Sequence, residues 1–206
     1  MKRSADEPRK SAGRPRSMET DEAILVTTLR HLAEHGYARM SLDAIAAEAS
    51  TTKPTIYRRW SGKEELAIAA LGRYQVHEQP RPTGFTEDDL VSLLRDFQRK
   101  LLRPNGMAMI GTLLAEEQHT PKLIRLFRDT IVKPRRDGLL AILKAARDRG
   151  ELHADADLDA AVNLLVGSFY ARYLSGEGVP QDWPVRVVRM MLAALRVDAQ
   201  HESSSR

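Results

Sequence analysis

Residues 41–66, SLDAIAAEASTTKPTIYRRWSGKEEL, hold two short amphipathic patterns separated by a small polar turn and followed by a basic and aromatic cluster. Ser41 can cap a helix whose apolar positions Leu42, Ile45, Ala46 and Ala49 repeat on one face. Ser50 and Thr51 form the turn. Thr52 can cap a second, shorter helix, in whose first turn Pro54 is tolerated because an amide there has no intrahelical partner to lose. Ile56 and Trp60, four apart, bury one side of it. The other side carries Thr52, Lys53, Thr55, Tyr57, Arg58 and Arg59, with no acidic residue from Thr51 to Gly62. A face of donors and cations suits a polyanion, and the pattern is that of a helix-turn-helix reader of DNA.

The same periodicity extends in both directions. Upstream, Ile24, Leu25, Thr28, Leu29, Leu32 and Ala33 form a stripe on a helix expected from Met18 to His35 and ended by Gly36. Downstream, Ser61 and Glu64 make a capping box that opens a helix with Leu66, Ala67, Ala70, Leu71 and Tyr74 on one side. The proline-rich segment 79–84 then marks a domain boundary. Helical patterns follow at residues 86–102, 105–118, 121–149, 157–174 and 185–197, the third kinked before Pro134. The expected architecture is all-α with about nine helices and no internal repeat: a disordered basic arm (1–17), a helix-turn-helix domain (18–78), and a ligand-binding and dimerisation domain (84–200).

The chain resembles the TetR (tetracycline-repressor) family of bacterial regulators over roughly residues 24–71. The most specific element is the run Thr52-Lys53-Pro54-Thr55-Ile56-Tyr57-Arg58-Arg59-Trp60 followed by Lys63-Glu64-Glu65-Leu66. The resemblance implies that Thr52, Lys53, Thr55 and Tyr57 face the major groove or adjoining phosphates, and that Lys63 meets the DNA backbone at a helix start. Many relatives have glycine at the positions of Ser50 and Pro54, so the turn and the first recognition turn are stiffer here. The candidate DNA contacts are thus Ser41, Thr52, Lys53, Thr55, Tyr57, Arg58 and Lys63. Thr55 and Lys53 are suited to base edges, and Tyr57, Arg58 and Lys63 to phosphates. Arg59 reads equally well as solvated surface. In the leader, Gly13-Arg14-Pro15-Arg16 resembles the core of an AT-hook, which implies minor-groove contacts from Arg14 and Arg16. A solubilising tail is the bland alternative.

The last two helices bear on assembly. Residues 185–197 are apolar on most sides, which requires two neighbours, and the helix before it carries the small pair Gly167 and Ser168. Together they look like a four-helix dimer interface, as in relatives, centred on Leu165, Phe169, Val188, Met191, Leu192 and Leu195; completion of a monomer core is the alternative. A two-fold dimer would place recognition helices in successive major grooves about 34 Å apart, on a roughly palindromic operator.

An input site is expected among apolar residues of the C-terminal helices: Phe97, Met107, Ile110, Leu113, Phe127, Leu165, Phe169 and Tyr173, with a small apolar effector as partner. Any single one of them reads equally as plain core. Polar candidates are Gln118, His119, Asn163 and Arg172.

Composition restricts the alternatives. The 206 residues carry a net charge of only +4, yet the first sixteen contain Lys2, Arg3, Arg9, Lys10, Arg14 and Arg16 against Asp6 and Glu7. That leader lacks the apolar run of a secretory signal, no stretch approaches a membrane span, and a cytoplasmic protein is expected. Cysteine is absent, which removes disulfides and thiolate chemistry. His31 and His35 are four apart but lack further ligands and read as the exposed end of a helix; Asp155, Asp157 and Asp159 lack the glycine and glutamate of a calcium loop. Gly106 and Gly111 are not followed by a phosphate-loop lysine. Neither metal, cofactor nor enzymatic activity is expected. The leading function is a homodimeric repressor released from its operator by an effector, with an architectural DNA-binding protein or activator as the alternative.

Overall fold

Apolar residues spaced three and four apart fold as helices that bury one stripe. In the computed structural model, which describes residues 15–73 and 82–197 and side chains from residue 18, they do so throughout, apart from an isolated bridge between Leu152 and Arg196. The order is α1 (Pro15–Arg39), α2 (Leu42–Glu48), α3 (Lys53–Tyr57), α4 (Lys63–Arg73), α5 (Thr86–Leu101), α6 (Gly106–Ala115), α7 (Pro121–Phe127), a π turn (Arg128–Val132), α8 (Lys133–Asp148), α9 (Leu158–Leu174) and α10 (Trp183–Leu195). Because α7, the π turn and α8 follow one another without a break, the described residues form nine rods, in agreement with the sequence.

Several boundaries differ from expectation: α6 stops at Ala115 rather than 118, α10 runs over Trp183–Leu195 rather than 185–197, and both ends of α1 move. α1 begins at Pro15 rather than Met18, since proline suits a first helical position. Gly36 breaks α1 with φ 72° and ψ 172°, but a short helical turn resumes and runs to Arg39. Tyr74 and residues 79–81 lie outside the described residues. The kink foreseen before Pro134 is the π turn: proline has no amide hydrogen to donate, and the wider turn reorganises the hydrogen-bond ladder just ahead of it.

Two apolar clusters form the interior. One joins the helix-turn-helix half to the middle of the chain: Ile24 and Leu32 of α1, Ile45, Ile56, and Leu66 and Leu71 of α4 pack with Leu113, Leu123, Phe127 and Ile131. The other gathers α5, α8, α9 and α10 around Leu90, Phe97, Leu143, Phe169, Val188 and Leu192. Phe97 and Phe169 meet edge to face at 5.1 Å, and Trp183 Nε1 donates to Ser168 Oγ at 3.1 Å, fastening α10 to α9.

Burial corrects the expected subunit contact. Leu165, Phe169, Val188, Met191 and Leu192 are at most 7% exposed within their own chain, and Leu195 is half-buried against the same cluster. They complete the monomer core because the more apolar stripe of each helix turns inward. The outward stripes of these helices are a different set. Leu164 and Leu174 on α9 are exposed beside Gly167 and Ala171, and Met190 on α10 is exposed beside Ala194.

Two joints fix α5. At its C-terminal end Asn105 adopts φ 66°, and Gly106 lies so near the end of α5 that a Cβ there would stand 2.5 Å from the Leu101 carbonyl oxygen. At its N-terminal end the buried Asp89 carboxylate accepts hydrogen bonds from the Thr83 amide at 2.6 Å, the Thr83 hydroxyl at 2.8 Å and the Gly84 amide at 3.1 Å. Burial opposes ionisation of Asp89, but these donors outweigh it and hold the carboxyl below its ordinary pKa. The stability it contributes is therefore present above the unfolded pKa of about 3.9 and is lost as pH falls through the lower folded value. Asp89→Ala should cost about 2 kcal/mol at neutral pH, lowering the thermal midpoint by about 4–8 °C. The gap between parent and variant should close as unfolding is repeated at pH values below about 4, and a gap independent of pH would refute the carboxylate's role.

Candidate nucleic-acid interface

The recognition surface begins with two hydroxyl caps. Ser41 Oγ accepts from the Ala44 amide at 3.3 Å at the start of α2, and Thr52 Oγ1 accepts from the Thr55 amide at 3.4 Å at the start of α3. Between them Ser50 takes φ 49°, in the left-handed region where glycine is the easier residue, and Thr51 donates its amide to the Ala46 carbonyl at 2.9 Å. Ile56 is buried at 1% exposure and Trp60 packs partly buried on the same core, as their spacing predicts. That anchoring leaves Thr52, Pro54, Tyr57 and Arg58 exposed, with Lys53 and Thr55 half-buried beside them.

Four polar groups on or beside this surface, those of Thr52, Thr55, Lys53 and Lys63, have local partners. The Thr52 and Thr55 hydroxyls share a hydrogen bond of 2.9 Å. Lys53 Nζ donates to Asp43 of α2 at 2.9 Å, and that hydrogen bond raises the lysine's pKa, so it stays cationic. Lys63 Nζ sits 4.6 Å from the centre of the Tyr37 ring and donates to the Ala38 carbonyl at 3.1 Å, at the end of α1. Burial lowers the Lys63 pKa, with Glu116 and Glu64 acting in the opposite sense; the Tyr37 phenol is pushed up by burial and by the same two carboxylates. Glu116 follows the end of α6, so the C-terminal half reaches the electrostatic surroundings of the recognition surface.

Arg59 does not belong to that surface. Its guanidinium pairs with Asp21 of α1 and donates to the Thr55 carbonyl at 3.1 Å, tying the end of the recognition segment to the first helix. His31 departs from expectation too. It is 5% exposed, with Nε2 bonded to Glu48 at 3.1 Å, while His35 is exposed and meets its ring edge to face at 5.4 Å. Glu48 also accepts from Arg30, so a polar junction, buried only at His31, links α1 to α2. Among the described residues no group of three or more histidine and carboxylate side chains is placed to hold a metal.

The leader residue Arg14 and the Arg16 side chain lie outside the described residues. The backbone of Pro15 and Arg16 is the first turn of α1, so these two residues are helical rather than extended.

The effector residues proposed from sequence divide between the two cores. Leu113 and Phe127 belong to the first, and Phe97, Leu165 and Phe169 to the second, with Met107 and Ile110 at its edge. Two small cavities lie where the cores approach. Phe97 lines one of about 70 Å³, and Ile110 and Phe127 line the other of about 40 Å³. Met107, Leu113, Leu165 and Phe169 line neither, and Tyr173 faces outward at 40% exposure, stacked on Phe169. Gln118, His119 and Asn163 are exposed, and Arg172 is engaged by the Gly178 carbonyl and Glu177. The polar groups that do line these cavities, Asp96, Lys100 and Arg135, were missed. Asp96 and Lys100, four apart, look in sequence like a solvated ion pair. The available signal was that Lys100 falls three residues after Phe97 and seven after Leu93, on the buried stripe.

A capped helix-turn-helix mounted on an all-helical C-terminal half defines a DNA-binding transcriptional regulator. Comparison with known proteins agrees. Residues 24–70 match the model for bacterial regulatory proteins of the tetR family, and residues 80–191 match a tetracyclin repressor-like C-terminal domain. An uncharacterized HTH-type transcriptional regulator of Mycobacterium tuberculosis is 38% identical over 146 residues, 70% of this chain and 71% of that protein. The DNA-binding transcriptional repressor TetR of Mycobacteroides abscessus is 34% identical over 139 residues, 66% of this chain and 72% of that protein. The fold is shared with MexZ, a repressor responsible for antibiotic resistance in Pseudomonas aeruginosa, at a TM-score of 0.66 and 21% identity over 88% of this chain and 97% of that one. The chain belongs to the TetR family.

Four substitutions separate the roles on this surface. Lys53→Ala and Thr55→Ala should alter preference among operator variants by about 1–3 kcal/mol. Arg58→Ala should weaken all sequences alike and reduce the log-log salt slope by about one. Arg59→Ala should instead lower folding stability by about 1–2 kcal/mol and leave that slope unchanged. Fluorescence anisotropy on a selected duplex and its variants at several salt concentrations, beside urea unfolding, tests all four; a flattened slope for Arg59→Ala would return Arg59 to the DNA-contacting set.

Proposed function

We propose that the protein is a homodimeric repressor that leaves a palindromic operator when its C-terminal half binds a small molecule. The observation that carries this reading is the position of α6. Gly106, Met109 and Ile110 line the smaller cavity at one end, while Thr112 is the side chain nearest the Gly36 break in α1, and Glu116 acts on Tyr37 and Lys63. A rigid rod with one end at a cavity and the other at the hinge of α1 can convert occupancy into displacement of the recognition helices. Ser41, Thr52, Lys53, Thr55, Tyr57, Arg58 and Lys63 form its DNA-contacting set, and catalysis has no part in the reading. No described helix is long and apolar enough to cross a membrane, and the protein is assigned to the cytoplasm, where its DNA is.

The exposed stripes of α9 and α10 support the dimer. Leu164, Leu174 and Met190 are 66%, 79% and 71% exposed, and the small residues between them permit close approach of paired helices. Leu164→Glu and Met190→Glu should yield folded monomers by sedimentation velocity, with operator affinity reduced at least about tenfold because only one half-site is held. Leu192→Glu should unfold the chain instead, its position being 1% exposed in the monomer core. Monomeric sedimentation of the parent at micromolar concentration would overturn the dimer. Sequencing genomic fragments selected by the purified protein tests the rest: an inverted repeat is expected, and A·T-rich fragments without one would favour an architectural role.

A further inference from the structure

The two cavities share three residues, Lys100, Ile131 and Arg135, which therefore stand between them. Two of the three are cations in an otherwise apolar interior. Lys100 is 7% exposed, and its ammonium pairs with Asp96 at 2.5 Å. Arg135 lays its guanidinium over Phe97, 4.9 Å from the ring centre. Burial pushes the pKa of Arg135 down and that of neighbouring Tyr170 up, which marks the region as poorly hydrated. The ionisable groups lining the cavities are Asp96, the buried Lys100 and the half-buried Arg135. Asp96 is also bonded to the exposed Arg99, which divides its charge further.

We propose that this junction is the head-group site for an amphipathic organic anion, a carboxylate whose apolar body enters the space walled by Phe97, Leu139, Met109 and Phe127. A carboxylate oxygen between Lys100 and Arg135 accepts charge-assisted hydrogen bonds in a poorly hydrated setting, where such bonds are strengthened. Drawing the two side chains onto one head group joins the small cavities into a single elongated one. The effector expected from sequence was simply apolar; the junction assigns it a charge.

The position also gives the ligand leverage. Ile131 lies on the π turn, which touches α4 of the DNA-reading half, and Lys100 ends α5 just before the tight joint to Gly106. An anion held there acts on both elements at once. This inference rests on the reading of the C-terminal half as an effector domain, and its test keeps the two apart.

Calorimetric titration of the full-length protein with matched pairs, octanoate against octanol and phenylbutyrate against phenylbutanol, isolates the charge from the apolar body. Each acid should bind about tenfold more tightly than its alcohol, the size of advantage that a hydrogen-bonded charge confers. Lys100→Met and Arg135→Met should abolish that preference while leaving alcohol affinity unchanged. Lys100→Arg and Arg135→Lys, which keep the charge, should retain it even if the neutral variants fold poorly. Equal or tighter binding of the alcohols, no binding by either pair, or a preference that survives in folded neutral variants overturns the proposal. Operator affinity measured with each compound decides the other question: acids that bind as described without releasing DNA leave the anion site standing and remove its effector role.

Discussion

The burial of α4 on two sides is the constraint on which the rest of the molecule depends. Leu66, Ala67, Ala70 and Leu71 are almost inaccessible because α1 covers one side of the helix and α7 with the π turn covers another. Burying a leucine stabilises by about 2 kcal/mol, so exposing one side of α4 forfeits several such contributions at once. A helix-turn-helix of this size has little apolar area of its own, and here it borrows its foundation from Leu123, Ile124, Phe127 and Ile131. Structural change in the middle of the chain is therefore change in the base on which the recognition segment stands. Coupling between the halves needs no special pathway beyond this shared packing.

The electrostatics of the recognition surface follow a different logic, that of readily exchanged partners. Lys53 and Asp43 are both substantially exposed, and an ion pair of that kind contributes only about 0–1 kcal/mol. Exchanging Asp43 for a phosphate thus costs little. The pairs that fasten the surface in place are distinct from those it offers: Arg59 to Asp21, Arg73 to Glu22, and His31 with Arg30 to Glu48 all join helices within the chain. The cations divide into those that hold the motif together and those turned toward solvent.

The motif and helix count were legible because they rest on local rules. Ser41 and Thr52 cap as their types require, Ile56 turns inward at its spacing from Trp60, and Pro134 disturbs its helix where the missing amide demands. What was not legible depends on which of two apolar faces wins. Both α9 and α10 are apolar on more than one side, and periodicity cannot rank a face holding Phe169 and Val188 against one holding Leu164 and Met190. Lys100 and Arg135 were hidden for the converse reason: charged residues on amphipathic helices are ordinarily solvated, and only the approach of Phe97 and the π turn encloses them. Arg59 lost its ambiguity once α1 placed Asp21 within reach.

The absent side chain at Gly106 bears on how regulation in this protein can be altered by evolution. The backbone carbonyls of Lys100 and Leu101 occupy the space a methyl group would need, so even alanine would force α6 away from α5. The far end of α6 lies against the Gly36 break, so such a displacement would arrive at α1 as the same kind of motion that occupancy of the cavities is proposed to cause. If the proposed coupling holds, one added carbon would thus imitate a bound effector permanently. On the proposed reading, selection for constitutive expression of the regulated genes has in Gly106 a target at the wall of the smaller cavity and away from the recognition segment, where loss of response leaves every proposed DNA-contacting residue intact.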